Sequence, residues 1–380
     1  MINWQTEFEL QPDLIYLNHA AVAPWPKRAR LAVQQFAEEN SHFGAARYEN
    51  WLKKEHALRL KLKQLINAES SEEIAFQKNT SEGLSTIAYG LHWNPGDEII
   101  ISDEEFPSNR IVWESLEQQY GVIVKKIPLQ QNAPEQSLLA AFSPRTRLLA
   151  ISSVQYGSGI KVNLQTLGAA CRNTNVLFCV DAIQSLGAHA VDVQSAHIDF
   201  LVADGHKWML GPEGIAVFYC RKSRLDLLQV RQFGWHMIEH IGDYARQDWA
   251  VARSARRFEC GSPNMLGIYA LDASLSLILD VGLSQIEQSI AKLIAQFETQ
   301  LLALPGISLL TPQSAEQRAG IITFKHSHID PEMLFSALKA QNMVCAMRGG
   351  GIRFSPHFYQ RPELVEQAVS AVEKVIHSHP

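Results

Sequence analysis

The chain has 380 residues, 46% of them hydrophobic and 19% charged, with a formal net charge of −5. That is more apolar material than one hydrophobic core usually holds, so two domains are expected, the second discontinuous in sequence. No basic run is long enough to make nucleic acid a main partner, and no apolar run approaches the ~20 residues that cross a bilayer. The first ten residues lack the basic start and apolar stretch of a secretory signal. Five dispersed cysteines (Cys171, Cys179, Cys220, Cys260, Cys345) form no CxxC pair, which predicts reduced thiols and a cytoplasmic protein. The 14 histidines form no HExxH or comparable cluster, and no metal site is expected.

Taken in chain order, apolar positions at helical spacing mark residues 27–66 (Leu31, Val33, Phe36, then Leu58, Leu60, Leu62, Leu65), with a break near His42–Gly44. Ile74–Phe76 reads as a strand followed by a helix from about Ser81. Glu98–Ile101 reads as another, followed by a helix over Ile111–Gln119. Val122–Ile127, Leu148–Ile151, Val176–Val180, Phe200–Ala203 and Ile215–Phe218 continue the series. Short apolar strands separated by helices predict an α/β fold with a mostly parallel sheet covered on both faces. From Met265 the texture changes to a long helical stretch reaching Leu302, interrupted near Gly282. Ile307–Leu310, Gly320–Phe324, a helix over Pro331–Gln341, two short strands around Gly349–Gly351 and a final helix from Pro362 follow. The expected division is a large domain of residues 21–255 and a smaller α+β domain of residues 1–20 and 256–380.

In open α/β sheets, ligands bind beyond the carboxyl ends of the strands, so the polar residues there carry the functional reading. The run Val176–Val180 ends in Asp181, and Gln184 follows three residues later. A buried carboxylate is costly unless it meets a positive partner. The protonated pyridine nitrogen of pyridoxal 5′-phosphate is such a partner, and that cofactor needs the proton to act as an electron sink. Gln184 is placed to reach the ring oxygen. Alternatively, Asp181 caps the helix that follows. The next run, Phe200–Ala203, leads into Asp204-Gly-His-Lys-Trp208. Desolvation there would lower the Lys207 pKa and make it a nucleophile toward an aldehyde and a general base; otherwise it is an ordinary loop lysine.

Asn79-Thr80-Ser81-Glu82-Gly83 sits at a strand-to-helix junction, where free N–H groups and hydroxyls suit a phosphate and also suit simple capping. Phe106, after the strand Glu98–Ile101, is placed either to stack on a pyridine ring or to join the core. In Arg348-Gly-Gly-Gly-Ile-Arg353, two arginines flank a close-approaching backbone. The pattern fits carboxylate binding, or a turn with solvated arginines.

These motifs resemble the class V aminotransferase family of fold-type I pyridoxal-phosphate enzymes, which includes cysteine desulfurases, selenocysteine lyases, kynureninases and isopenicillin N epimerase. The resemblance runs from Tyr16-Leu-Asn-His-Ala-Ala21 to the final helix. It is carried by Asp181-x-x-Gln184 with Gly205-His-Lys207, by Arg257-Phe-Glu-Cys-Gly-Ser-Pro-Asn264, and by Ile352-Arg-Phe-Ser-Pro-His-Phe-Tyr359. It implies that Lys207 carries the cofactor, that Asp181 pairs with the ring nitrogen and that Gln184 contacts the phenolic oxygen. Thr80, Ser81 and His206 would hold the phosphate, Phe106 would stack on the ring, and Arg353 would grip a substrate α-carboxylate. Gly261 and Ser262 match a segment that reaches the neighbouring subunit's phosphate, which implies a homodimer with sites at the interface. Two positions depart from the desulfurase pattern. Asp204 replaces a phosphate-binding serine and is expected to point elsewhere. Cys345 lies eight residues before Arg353, within an expected strand Met343–Met347, and reads as structural rather than as a persulfide carrier.

The expected function is action on the amine of an amino acid through Cα deprotonation, of aminotransferase or C–S lyase type. A persulfide-forming cysteine desulfurase or selenocysteine lyase stands second and an amino-acid epimerase third. A binding module on the same scaffold is the non-enzymatic alternative. His19, Ala20, Tyr156, Arg348 and His357 are the candidates for contact with the substrate. No GxGxxG follows any strand, which argues against a dinucleotide-binding dehydrogenase.

Overall fold

Runs of β-branched and aromatic residues build two main sheets and a separate two-stranded pair, and amphipathic helices cover them. The computed structural model describes residues 4–131 and 133–378. The elements begin with β1 (Ile15–Tyr16), α1 (Lys27–Phe43), α2 (Tyr48–Ile66), β2 (Ile74–Gln77), α3 (Thr80–Gly90), β3 (Glu98–Ser102) and α4 (Ser108–Tyr120). Next come β4 (Ile123–Ile127), α5 (Pro134–Ala140), β5 (Thr146–Ser152), α6 (Leu164–Thr174), β6 (Leu177–Asp181), β7 (Phe200–Asp204) and β8 (Ala216–Cys220). The remainder are α7 (Met265–Val281), α8 (Leu283–Leu302), β9 (Ile307–Leu309), β10 (Ile322–His326), α9 (Pro331–Lys339), β11 (Met343–Val344), β12 (Ala346–Arg348), β13 (Gly351–Phe354) and α10 (Glu363–Ser378).

The large sheet has seven strands in the order β2-β8-β7-β6-β5-β3-β4. Strands β3 to β7 pair in parallel, and β8 alone runs against its two neighbours. Every residue of β3, β6, β7 and β8 is buried, because both faces are covered by helices. Alternation along the strands divides the apolar side chains between two cores. Ile99, Ile101, Cys179, Val202 and Phe218 face α3 and α4, through Leu84, Ile87, Trp113 and Leu116. Ile100, Phe178, Val180, Leu201 and Val217 join Leu58 and Leu62 of α2, Leu167 of α6 and Ile268 and Leu271 of α7 on the other face.

A smaller antiparallel sheet of order β12-β13-β10-β9 follows, with β1 paired to β11 in a separate parallel pair. The N-terminal segment thus joins the C-terminal part of the chain. The break near Gly282 is real: φ is 84° there, and α7 and α8 meet at 81°. No single helix among the described residues is long and apolar enough to cross a membrane.

Two local expectations are revised, and one feature was not expected. Helices α5 and α6 were not predicted; each has little more than one or two turns of apolar signal. The expected continuous strand Met343–Met347 is two strands, broken at Cys345, because β11 pairs with β1 and β12 with β13. Buried Arg59 on α2 also ties the layers in an unforeseen way. Its guanidinium donates to Glu55 at 2.6 Å, to Glu259 at 2.7 Å and to the Ile74 carbonyl at 2.7 Å. His236 closes the group, with Nδ1 3.4 Å from Glu259.

Candidate active site

Because neighbouring strands end together, the carboxyl edge of the large sheet collects polar residues that are far apart in sequence. Asp181 is the last residue of β6 and pairs with Val202 of β7; Asp204 is the last residue of β7. Lys207 lies three residues on, and Thr80 opens α3. Helix α3 can sit this close to β7 only because residue 83 is glycine: a Cβ there would lie 2.6 Å from Val202 Cγ1.

These elements enclose a cavity of about 250 Å³ lined by Thr80, Phe106, Tyr156, Asp181, Gln184, Asp204, His206, Lys207, Glu213, Arg348 and Arg353, with Ala20, Val22 and Ser108 at its edge. Lys207 is 7% exposed, and burial pulls its pKa down against the opposing pull of Asp181. Its Nζ lies 5.5 Å from the centre of the Phe106 ring, which meets Tyr156 edge-on at 5.1 Å. Asp181 is 1% exposed. Burial pushes its pKa up, the Ile183 N–H at 3.0 Å favours the carboxylate, and buried Glu105 opposes it. Lys207 supplies a compensating positive charge.

Arg353, which also lines the cavity, rises from β13 and is 1% exposed. Nη1 donates to the Tyr156 carbonyl at 2.8 Å and Nη2 to Asn18 Oδ1 at 3.3 Å, while Nε has no partner. Burial and the nearby Arg348 lower its pKa to about 10. Arg348 itself is exposed, at the tip of a hairpin whose two loop residues, Gly349 and Gly350, have φ of 58° and 81°. Consecutive positive φ values are what a tight two-residue hairpin requires.

The structure therefore brings together Thr80, Phe106, Tyr156, Asp181, Gln184, His206, Lys207, Arg348 and Arg353. Ser81 stands just outside, its hydroxyl donating to Ser108 at 2.8 Å. His19 does not reach the cavity. It is fully buried, with Nδ1 2.8 Å from the Ser355 carbonyl and Nε2 2.8 Å from the Tyr359 hydroxyl, so both nitrogens serve the fold. His357 is likewise turned inward, 3.1 Å from the Trp208 carbonyl. Gly261 and Ser262 line a separate cavity of about 440 Å³, with Lys78, Gly214 and Asn264. Cys345 is buried outside the lining, and burial pushes its thiol up to about 12.

Asp204 requires a correction. Instead of pointing away, it lines the cavity and accepts from the Thr80 N–H and hydroxyl. Glu213, Ser108 and Asn18 also escaped the sequence reading. Ser108 lies inside the Phe106-Pro-Ser-Asn109 motif and was the most findable of them.

The donors fit pyridoxal 5′-phosphate. Buried Arg353 Nε and His206 Nδ1 lack partners, and an amine and a carboxylate line the same space of small-molecule size. The family model described as Aminotransferase class-V matches residues 15–359. A probable cysteine desulfurase from Pyrococcus abyssi is 29% identical over 98% of this chain and 96% of its own length. A cysteine desulfurase from Salmonella typhimurium is 34% identical over 72% of this chain and 68% of its own length. Among solved structures, the cysteine desulfurase CsdA from Escherichia coli superposes with a TM-score of 0.88 at 26% identity, over 98% of both chains.

The chain belongs to the class V aminotransferase family. It is a pyridoxal-phosphate-dependent enzyme of fold type I, similar in sequence and fold to cysteine desulfurases.

Proposed function

We propose that the protein cleaves the C–S bond of a cysteine-class α-amino acid. One observation carries the reading: the buried Lys207 amine, Asp181 carboxylate and Arg353 guanidinium line one cavity. When bound, pyridoxal 5′-phosphate supplies the carbonyl that captures an amine and the ring that accepts the Cα electron pair. Asp181 would keep the ring nitrogen protonated, Phe106 would cover the ring face, and the second amide N–H of Gln184 would reach the ring oxygen. Thr80 and His206 would hold the phosphate, with Ser81 supporting through Ser108. Arg353 would take the α-carboxylate through its unpartnered Nε and so orient the Cα–H toward Lys207. Burial pulls the Lys207 pKa down to about 8, so far more of the amine is unprotonated near neutral pH than in an exposed lysine, which suits it to take the Cα proton and return it elsewhere.

The named relatives favour sulfur chemistry, and with it the alternative of the sequence reading over plain transamination. Within sulfur chemistry we favour elimination, since among the described residues that line the cavity there is no cysteine. Cysteine plus water would then give pyruvate, ammonia and hydrogen sulfide. The second reading, a desulfurase that passes sulfur to its own thiol and forms alanine, is favoured by the relatives' names and needs Cys345 to leave its buried position. A cytoplasmic homodimer, with Gly261 and Ser262 serving the neighbouring subunit, belongs to the same proposal.

Cofactor-loaded protein is expected to form pyruvate and sulfide from L-cysteine, and pyruvate and cysteine persulfide from L-cystine, and Cys345→Ala is expected to preserve the rate. Alanine as the product, with loss of sulfur release in Cys345→Ala, would establish the desulfurase reading instead. A keto acid formed without sulfur release would overturn both.

A further inference from the structure

Asp204 stands where the proposed reading puts an anion. Its Oδ2 accepts from the Thr80 N–H at 3.1 Å and from the Thr80 hydroxyl at 3.2 Å, and its own N–H donates to Thr80 Oγ1 at 3.1 Å. Asn79 caps α3, so the Thr80 N–H is the first of the helix, at the positive end of its dipole. The close approach of Gly83 to Val202 sets this end of α3 against β7, beside Asp204. Its second oxygen, Oδ1, and His206 Nδ1 are both buried without a hydrogen-bond partner and lie 3.9 Å apart. Buried polar atoms are rarely left so, and both residues line the cavity.

A phosphate dianion brought to this helix end meets a carboxylate already holding the same donors. Two anions at hydrogen-bond distance in a desolvated site do not coexist without a shared proton. We propose that Asp204 is a ligand of the cofactor phosphate that acts in its protonated form, so that cofactor uptake carries one proton into the site. The balance is one carboxylate, one phosphate dianion and one solvent proton, giving a neutral carboxyl that donates to a phosphate oxygen. No other bond is made or broken.

The surroundings are consistent with this. Burial favours protonation of Asp204 most, and Glu213 in the turn before β8 and Asp181 at the end of β6 add negative charge in the same sense, while the Thr80 donors and Lys207 oppose it. Burial and the neighbouring Lys207 charge lower the His206 pKa to about 4, so the ring offers Asp204 no compensating positive charge. From α3 the contact is Thr80; Glu82, in the same turn, is engaged by the Lys78 N–H.

The inference rests on the proposed placement of the phosphate at α3, and the test separates the two. Wild type and Asp204→Asn are titrated with pyridoxal 5′-phosphate and with pyridoxal, which lacks the phosphate, between pH 6.5 and 8.5. Calorimetry in two buffers of different ionisation enthalpy reads proton uptake, and borohydride fixation reads attachment at Lys207. Wild type should take up about one more proton per phosphorylated cofactor than Asp204→Asn, and its affinity should fall about tenfold more per pH unit. With pyridoxal the two proteins should agree. Equal proton uptake with the phosphorylated cofactor attached overturns the role of Asp204 and leaves the site reading standing. Failure of both ligands to attach at Lys207 overturns the site reading and this inference with it. Asp204→Ser serves as a second variant should Asp204→Asn not fold.

Discussion

Trp208 donates its indole N–H to the side-chain carbonyl of Gln184 at 2.8 Å, and Gln184 donates onward to the Ala20 carbonyl at 3.0 Å. The residue next to Lys207 is thereby locked to the loop after Asp181 and to the N-terminal segment, all in the buried interior. Gln184→Leu leaves a buried N–H and a buried carbonyl unpaired. We expect a loss of about 1–3 kcal/mol of stability, read from the denaturant midpoint. Trp208→Phe removes only one donor and should cost less. Both should weaken cofactor retention, measured by absorbance after gel filtration.

Arg353 is held by Tyr156 and Asn18 with one nitrogen still free. Arg353→Lys keeps the charge and loses the planar fork, so the apparent KM for an amino acid should rise on the order of 100-fold, equivalent to ~3 kcal/mol. Asn18→Ala should raise it by less, since Tyr156 still orients the side chain. Titration of the cofactor absorbance with amino acid measures both. An unchanged KM in Arg353→Lys would place the carboxylate elsewhere.

His19 gives a pH prediction. Burial lowers its pKa from 6.5 to about 4, so the folded protein resists a proton that the unfolded chain accepts. The neutral ring costs nothing above pH 6.5. Stability is lost as the pH falls from there toward 4, by about 3 kcal/mol in all from this group. Urea unfolding at pH 7 and pH 4.5 should show a smaller difference in His19→Gln than in wild type.

The Arg59 group predicts a stability effect remote from the cavity. Arg59→Met leaves Glu55 and Glu259 buried together without their cation, and a loss of about 3–5 kcal/mol is expected in guanidinium unfolding. Replacing all three by apolar residues of similar volume should recover much of it.

The strand ends were the legible part of the molecule. Asp181, Gln184, Lys207 and Thr80 follow buried apolar runs, and the parallel sheet gathers such positions by its own geometry. Orientation was not legible. His19 and Asp204 are both buried polar residues beside the site motifs, yet one turns to Ser355 and Tyr359 and the other to Thr80. Those partners lie 340 and 124 residues away for Tyr359 and Thr80, beyond the reach of any local pattern. The division of Met343–Met347 at Cys345 was hidden for the same reason, since each half pairs with a different distant strand.

The ladder between β6 and β7 matches Cys179 to Phe200, Val180 to Leu201 and Asp181 to Val202. Side chains alternate along a strand, so removing one residue from β6 would turn the acid into the opposite layer and present an aliphatic group to the lysine. Lengthening a loop around the rim carries no such penalty. Descendants of this chain are therefore free to diversify at the mouth, whereas the count of residues within these two central strands must stay constant.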